Sequence, residues 1–554
     1  MMDREPMAVM QLNCQRAYAV MCDLGRVMCE RGASVALLQE LYVAHGRVAG
    51  LPSSWRVFGA ECAPSRAAVV VCDDAIEAIG VSECTNEQGV CVWIKGDFGE
   101  MYVVSMYCRY GQSLEPYLMY MENVLRVIDG RRAIFGIDAN AVSPLWFSKS
   151  GGRSRESELR GKLLEEWIVA NGMVVLNEPS ECYTFSCTTG QSDIDVTLVS
   201  GEIAGCHFEW DVKDDWGISD HNVIIIQMTY GERMVDGRDE RKGWICKNVN
   251  WEEYVNDLAE VARSRGMNVL DEVNVDNMAA SVTGWIQEMN EKHMKVIKRR
   301  GGRRVEWWTK ELSTLKGKVR KRRRVYQKAR KEGRMDVCER KEEYKRALNE
   351  YKYRLRRVKE ENWKRFVGES GNLDPWGPVY RICRGRCVRQ GLSSLCVNGE
   401  CVSTWKECAN VLLERFFPVS SLTSGADVNV HRVVPDTYAK DFEWEEVNVA
   451  VMKGKLRKAP GLDGLTAEML RAVWVAIPGW LMSLYGVCLK YGCFPVEWKK
   501  ARVVVLPKSL DKPRTDPSSY RPISLLSVLG KTLERMMVAR MEERMRGRMH
   551  DAQH

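Results

Sequence analysis

At 554 residues, with 20 cysteines and a net charge of +8, the chain is too long for a single hydrophobic core, and three or so units are expected. No apolar run approaches the roughly 20 residues that cross a bilayer, and the opening Met1-Met-Asp-Arg-Glu-Pro6 lacks the charged-then-apolar pattern of a signal peptide; a soluble, intracellular protein with no membrane partner and with free thiols is expected. The net charge hides its distribution: residues 1–232 hold 18 Lys and Arg against 32 Asp and Glu, whereas residues 295–366 hold 29 against 10, which suggests an acidic body that does chemistry and a basic arm that grips a polyanion.

The first 232 residues read as apolar strands that each deliver a polar side chain at one end. Met7 to Leu12 leads into Asn13, and after a helix from about Gln15 to Glu30 the run Val35-Ala-Leu-Leu38 leads into Gln39-Glu40. Met101 to Met106 leads into Tyr107, and Ala133 to Ile137 into Asp138-x-Asn140, where the period of two in a strand points both polar side chains to the same side. Asp195 opens the run to Val199, and Ser219-Asp-His-Asn222 precedes Val223-Ile-Ile-Ile226. Further strand-like runs (Ala68 to Cys72, Val90 to Ile94) and helical stretches near 116–128 and 157–171 complete an α/β sandwich.

Each of these residues alone is a weak signal, since Asp-x-Asn is commonly a capped strand end and a lone His is more often satisfied or exposed than catalytic. The set is stronger. It supplies the inventory for metal-assisted phosphodiester hydrolysis: carboxylates to accept a proton from water and to bind Mg²⁺, amide and imidazole donors for phosphate oxygens, and a carboxylate to orient the His and raise its pKa.

Asn13, Gln39-Glu40, Tyr107, Asp138-x-Asn140, Asp195 and Ser219-Asp220-His221, in that order, resemble the motif set of the endonuclease/exonuclease/phosphatase superfamily, nearest its apurinic-endonuclease-like branch. The resemblance implies a four-layer α/β sandwich with the site at one end of two facing sheets. It implies that Glu40 binds a divalent metal, Mg²⁺ or Mn²⁺, with help from Asn13, and that Asp138 activates or orients the attacking water. Asn140 and Tyr107 would contact the scissile phosphate, His221 paired with Asp195 would stabilise developing charge, and Asp220 would lie beside the metal. Here Gly136-Ile precedes Asp138, where the family often has Gly-Asp before x-Asn. Ser143-Pro-Leu-Trp146, Arg160-Gly161 and Leu176-Asn177 are similar to the endonuclease of non-LTR (LINE-type) retrotransposons, closest to the clade that inserts into ribosomal RNA genes.

Downstream, residues 233–294 read as a connector in which Trp244, Trp251 and Trp285 pack. A basic helical arm at 295–370 follows, with Leu312, Leu315, Val319, Tyr326 and Ala329, then Tyr344, Leu348, Tyr351, Leu355 and Val358, near a 3-4 spacing on either side of Gly333. Its runs Lys298-Arg299-Arg300 and Arg320-Lys321-Arg322-Arg323-Arg324 are candidates for phosphate-backbone contact and fit a nuclear protein. In the linker at 371–440, Cys383, Cys387, Cys396 and Cys401 depart from paired C-x2-C spacing, so thiols are favoured over zinc. From 441 to 554, Lys458-Ala-Pro-Gly-Leu-Asp-Gly-Leu-Thr466, Phe494-Pro-Val-Glu-Trp498, Ala501 to Lys508 and Tyr520 to Leu526 resemble the opening finger motifs of a LINE-type reverse transcriptase. The resemblance makes Lys508 and Arg521 candidates for approach to a nucleotide. The aromatic-x-Asp-Asp turn that would hold the polymerase metals does not occur after Ser527, so a truncated, inactive polymerase portion is expected.

The reading is therefore a Mg²⁺-dependent endonuclease of a non-LTR retrotransposon, with target DNA, expected to be ribosomal RNA genes, and the element RNA as partners. A phosphatase or lipid phosphodiesterase on the same fold, or a non-catalytic nucleic-acid-binding remnant, are its rivals.

Overall fold

In the first strand, β1 (Met7–Asn13), every residue is buried, because both faces are covered. Val9 faces one core with Val35 and Leu37 of β2 (Val35–Gln39), while Ala8, Met10 and Leu12 face another with Ala36 and Leu38. That period of two explains a continuous apolar run where a half-exposed strand would alternate.

The computed structural model describes residues 6–44, 46–59, 66–148, 155–187, 190–200, 203, 206–229, 243–246, 248–265, 275–296, 307–373, 392–397, 399–402, 404–418, 440–456, 458–508 and 512–545. Between β1 and β2 lies α1 (Tyr18–Arg31); β3 (Arg56–Phe58), β4 (Ala67–Val71), β5 (Glu77–Thr85), β6 (Gly89–Gly96), β7 (Gly99–Tyr107), α2 (Glu115–Ile128), β8 (Ala133–Asp138), α3 (Arg155–Ala170), β9 (Val174–Val175), β10 (Phe185–Ser186), β11 (Gln191–Ser192), β12 (Asp195–Val199), β13 (His207–Lys213) and β14 (Val223–Thr229) follow. One sheet has the order β13-β14-β1-β2-β4-β3, the other β9-β12-β8-β7-β6-β5 with Leu392–Ser393 added at its edge. Val9, Leu37, Val69, Val92, Val103, Ile134 and Ile224 fill the space between the sheets. At Gly136 a Cβ would come within 2.7 Å of Leu37, so this glycine sets how closely the sheets approach beneath the strand ends.

The basic helices belong to this same unit, which comprises Met1–Asp236, Arg299–Leu412 and Pro513–Pro517. After α4 (Trp251–Arg265) and α5 (Val275–His293) in chain order, helix α6 (Lys310–Lys331) starts at Thr309, whose hydroxyl accepts from the Leu312 N–H, and the chain turns at Gly333 (φ 64°) toward α7 (Val337–Leu373). Leu312, Val319, Tyr326, Tyr344, Tyr351 and Leu355, the apolar positions of the sequence pattern, share one core with Met21, Leu24 and Met28 of α1 and the outer face of the first sheet. Lys316 is the polar member of this contact: its Nζ donates at 2.9 Å to Asp23 of α1, both side chains being almost wholly buried. Lys316→Met is expected to cost up to about 3–5 kcal/mol, because it takes from the buried Asp23 carboxylate its buried partner and leaves it Arg26 alone, at 3.1 Å. The double variant Lys316→Met/Asp23→Leu should restore most of that in urea unfolding; a double variant as unstable as the single one would show that the pair itself holds the helix down.

The second unit comprises Gly237–Lys298, Leu413–Lys512 and Ser518–His554. Its helices Trp251–Arg265 and Val275–His293, from the connector, pack with Trp444–Met452, Ala467–Ala476, Pro478–Tyr491 and Val528–Met545 around Leu258, Val282, Val447, Val473, Leu484 and Leu529. Trp285 lies in this core, with Trp244 and Trp251 partly buried against it. In the Ala-Pro-Gly-Leu-Asp phrase a Cβ on Gly461 would meet the Leu526 backbone at 2.7 Å, so this glycine lets two of the polymerase-like motifs touch. Among the described residues no single helix is long and apolar enough to cross a membrane.

The described cysteines are free thiols as expected, with the exception of one pair. Cys396 and Cys401 stand opposite each other in a β-hairpin and form a disulfide, because the antiparallel register brings their Cα atoms to 4.0 Å. Cys383 and Cys387 lie outside the described residues.

Candidate active site

Strand ends from both sheets converge at one end of the sandwich. Asn13 closes β1 beside Gln39 of β2, and Asp138 closes β8 between Tyr107 of β7 and Asp195 of β12. Asn13 joins the two sets: its Nδ2 donates to Asp138 Oδ2 at 2.7 Å and lies 3.4 Å from Glu40 Oε2. His221, just before β14, holds Nδ1 at 2.9 and 3.1 Å from the Asp195 oxygens and Nε2 at 3.8 Å from Asp138 Oδ2. Glu40 pairs with Arg16 at 3.2 Å. Gln15, Arg16, Glu40 and Asn140 have φ values of 51, 51, 44 and 45°. Left-handed backbone at residues other than glycine is held only where surrounding contacts over-determine it, and it clusters at sites that do chemistry.

The electrostatics follow from burial of two carboxylates against one imidazole. Burial, then the Asp195 charge, pushes the Asp138 carboxyl up to about 7. Burial alone would favour neutral His221, but the charges of Asp195 and Asp138 and the hydrogen bond to Asp195 outweigh it and raise the imidazole to about 9. The imidazolium therefore adds to stability fully below its ordinary value of 6.5, and that contribution is lost as pH rises through about 9. Burial and the charges of Glu40 and Asp138 keep the Tyr107 phenol protonated. Asn140 donates from Nδ2 to the Cys108 carbonyl at 3.0 Å, and Asp220 is held by Gln15 through two hydrogen bonds of 3.0 and 3.1 Å.

The Endonuclease-reverse transcriptase family model matches residues 101–225, which carry Tyr107 through His221. The Retrovirus-related Pol polyprotein from type-1 retrotransposable element R1 of Bradysia coprophila is 40% identical over 507 residues, 90% of this chain and 50% of that protein. The Putative 115 kDa protein in type-1 retrotransposable element R1DM of Drosophila melanogaster is 37% identical over 96% of this chain and 52% of its own. Over most of its length the chain is homologous to the Pol proteins of R1-type non-LTR retrotransposons. It spans about half the length of these curated relatives. The endonuclease domain of TRAS1, a telomere-specific non-LTR retrotransposon, is 31% identical, with 100% of that domain and 41% of this chain aligned at a TM-score of 0.36.

The predicted residues Asn13, Glu40, Tyr107, Asp138, Asp195 and His221 come together, with Asn140 and Asp220 on flanking loops. The phrases quoted for the family turn out to hold those loops. Arg160, buried on α3, donates to the carbonyls of Ala139 at 2.9 Å, Asn140 at 3.2 Å and Cys108 at 3.4 Å. Trp146 Nε1 donates to the Asp193 carbonyl at 3.2 Å, two residues before Asp195, and Asn177 bonds the Asp195 carbonyl and the Thr197 N–H at 2.9 and 2.8 Å. A buried polar layer lies beneath: Gln11 donates to the Ile137 carbonyl at 3.2 Å and accepts from Thr197, and Gln39 donates to the Gly136 carbonyl at 3.1 Å.

The basic run of α6 is largely engaged by the nuclease and its own hairpin. Arg320 pairs with Asp215 at 2.8 Å, Arg324 with Asp214 at 3.0 Å and Arg322 with Glu343 of α7 at 2.9 Å. Arg323 is buried and donates to the carbonyls of Ser219 at 2.7 Å, Ser186 at 2.9 Å and Asp220 at 3.4 Å. Lys321 is exposed, and no salt bridge joins it to another described residue. Lys298, Arg299 and Arg300 lie outside the described residues. In the second unit Arg521 and Lys508 are exposed on one hairpin, Arg502–Pro507 paired with Tyr520–Leu525.

Proposed function

We propose that this endonuclease nicks one strand of target DNA in a Mg²⁺-dependent reaction and leaves a 3′-hydroxyl that primes reverse transcription of the element RNA. The observation that carries the reading is the bond from Asn13 to Asp138, which sets an oxygen-rich pair, Asn13 and Glu40, beside a carboxylate–imidazole–carboxylate row. The donor set fits a hard divalent cation: Glu40 is partly open to solvent, and the ligand atoms of Asp138, Asp195 and His221 lie within 4.8 Å of one another. Glu40 and Asn13 would hold the ion, which when bound stabilises charge on the scissile phosphate. Asp138 accepts the proton of the attacking water, and its raised pKa brings it nearer to the operating pH than an ordinary carboxyl. His221, kept charged by Asp195, faces the anion that develops, and Asn140 and Tyr107 orient the phosphate. In this reading the protein acts in the nucleus, and residues 441–554 carry no nucleotide transfer of their own.

The phrases Ser143 to Trp146 and Arg160-Gly161, which resemble the ribosomal-gene-inserting clade, support ribosomal DNA as the target. The test is nicking of supercoiled plasmids with and without a ribosomal RNA gene insert by the full chain, in Mg²⁺ or EDTA. Metal-dependent nicking at one position of the insert is expected. Nicking at many positions in both plasmids would remove the target, and none with folded protein would remove the activity.

A further inference from the structure

Beside the N-terminus of α1 the first unit holds a cavity of about 520 Å³ that the nuclease chemistry does not use, within the range of about 300–1,000 Å³ typical of ligand sites. Its walls are aromatic and cationic. Tyr18 and Trp307 flank Lys359, whose Nζ lies 4.8 Å from each ring centroid. Along α7 the residues Arg356, Lys359, Trp363 and Phe366 all line it, and the rings of Trp363 and Phe366 stand 5.7 Å apart. Trp363 is 41% exposed, a large hydrophobic face open to solvent.

The charges indicate what such a cavity would take. Glu360 on its rim is paired with Lys364 at 2.7 Å. Neither Arg356 nor Lys359 forms a salt bridge with any carboxylate among the described residues; the partly exposed Lys359 ammonium donates to Cys22 Sγ at 3.1 Å but has no carboxylate counter-ion. An ammonium held against aromatic faces without a counter-ion is matched by a ligand that is anionic and flat together, which excludes an apolar peptide. Nucleotides of an unpaired strand have both properties: the base stacks on an aromatic ring while the phosphate meets the cations. The position agrees, because Tyr18 lies two residues after Arg16, which pairs with Glu40, and packs at 5.3 Å on Tyr42, two residues beyond Glu40.

We propose that the cavity between Tyr18, Trp307 and the Arg356–Phe366 stretch of α7 binds an unpaired nucleotide of single-stranded nucleic acid by stacking on its aromatic rings and pairing with Arg356 and Lys359. The site reads no sequence, since every base offers a stacking face. It is independent of cleavage and is measured in EDTA.

The experiment is fluorescence anisotropy of the full chain with labelled oligo(dT), oligo(U) and a duplex of equal length. Trp363→Ala and Arg356→Glu are compared with Arg357→Glu, a charge reversal on the same helix outside the cavity. Trp363→Ala is expected to weaken oligomer binding by about 5- to 100-fold, and Arg356→Glu to weaken it well beyond Arg357→Glu, with duplex binding changed alike by the two reversals and thermal melting unchanged. Tighter binding of oligo(U) would assign the site to RNA, tighter binding of oligo(dT) to displaced DNA, and equal binding to either strand. Affinity of Trp363→Ala for both oligomers within twofold of the parent, or equal losses in the two Arg variants, would overturn the proposal.

Discussion

Asp138→Asn in the full chain is expected to lower plasmid nicking by about 10³-fold or more while leaving the protein as stable as the parent, or more so. The loss follows from removing the group that accepts the proton from water, an effect typically worth about 10²–10⁴-fold, together with a partner of Asn13 and a charge facing His221. The stability follows from the same burial: a carboxyl pushed up to about 7 by burial and the charge of Asp195 is a strained choice for a folded core, and an isosteric amide removes that charge. His221→Ala should lose nicking to a similar extent but also lose stability, because it leaves Asp195 buried and without its imidazolium. Opposite shifts in melting temperature with matching losses of activity would separate chemistry from folding. Nicking by Asp138→Asn within tenfold of the parent would remove Asp138 from the reaction.

The site was legible because strand periodicity and polar termini are local properties. Asn13, Tyr107 and Asp138 each follow an apolar run, and parallel or antiparallel registry needs no further information to bring them level. The residues that hold the loops were legible only as phrases. Arg160 bonds carbonyls of residues 20 to 52 positions away, and nothing in its own neighbourhood of sequence states that an arginine there is buried.

The charge pattern was legible as a pattern, but much of its physical use is internal. An acidic body and a basic arm suggested an arm that reaches out to a polyanion. The hairpin lies on the nuclease instead, with Arg320 and Arg324 on Asp215 and Asp214, because its apolar stripe is completed by α1 and the first sheet. An amphipathic pattern gives the face that will be buried; it does not give the partner. The exposed cations left outside these pairs, Lys321 and Arg356 among them, are the ones open to an external anion.

Arg323 is expected to give the second large effect, although it touches neither metal ligand nor phosphate. Its guanidinium donates to the backbone carbonyls of Ser219 and Asp220 on one side and of Ser186 on the other, while Gln327, one turn further along α6, donates to the Ser186 hydroxyl at 2.6 Å. His221 is itself bridged to Phe185, with rings 4.7 Å apart, so α6 fixes both walls of the histidine's pocket and Arg323 acts as a positioning residue. Arg323→Ala would take the arginine donor from the Ser219 and Ser186 carbonyls, at about 1–3 kcal/mol for each one that no water reaches, while Asp220 keeps the Ser186 N–H at 2.7 Å, and would free the loop that sets His221 on Asp195. A displacement of about 1 Å at a reacting group can cost 10²-fold in rate, so kcat should fall by about that factor while KM for plasmid changes little, because no substrate contact is removed. A merely structural role would lower the amount of folded enzyme without changing its pH profile. Release of the loop should instead weaken the His221–Asp195 contact and shift the alkaline limb of the rate–pH curve downward. Arg323→Lys, which keeps a charge and part of the donor set, should recover a portion of kcat. An Arg323→Ala enzyme with unchanged kcat per folded molecule would show that the nuclease loop holds its own shape without α6.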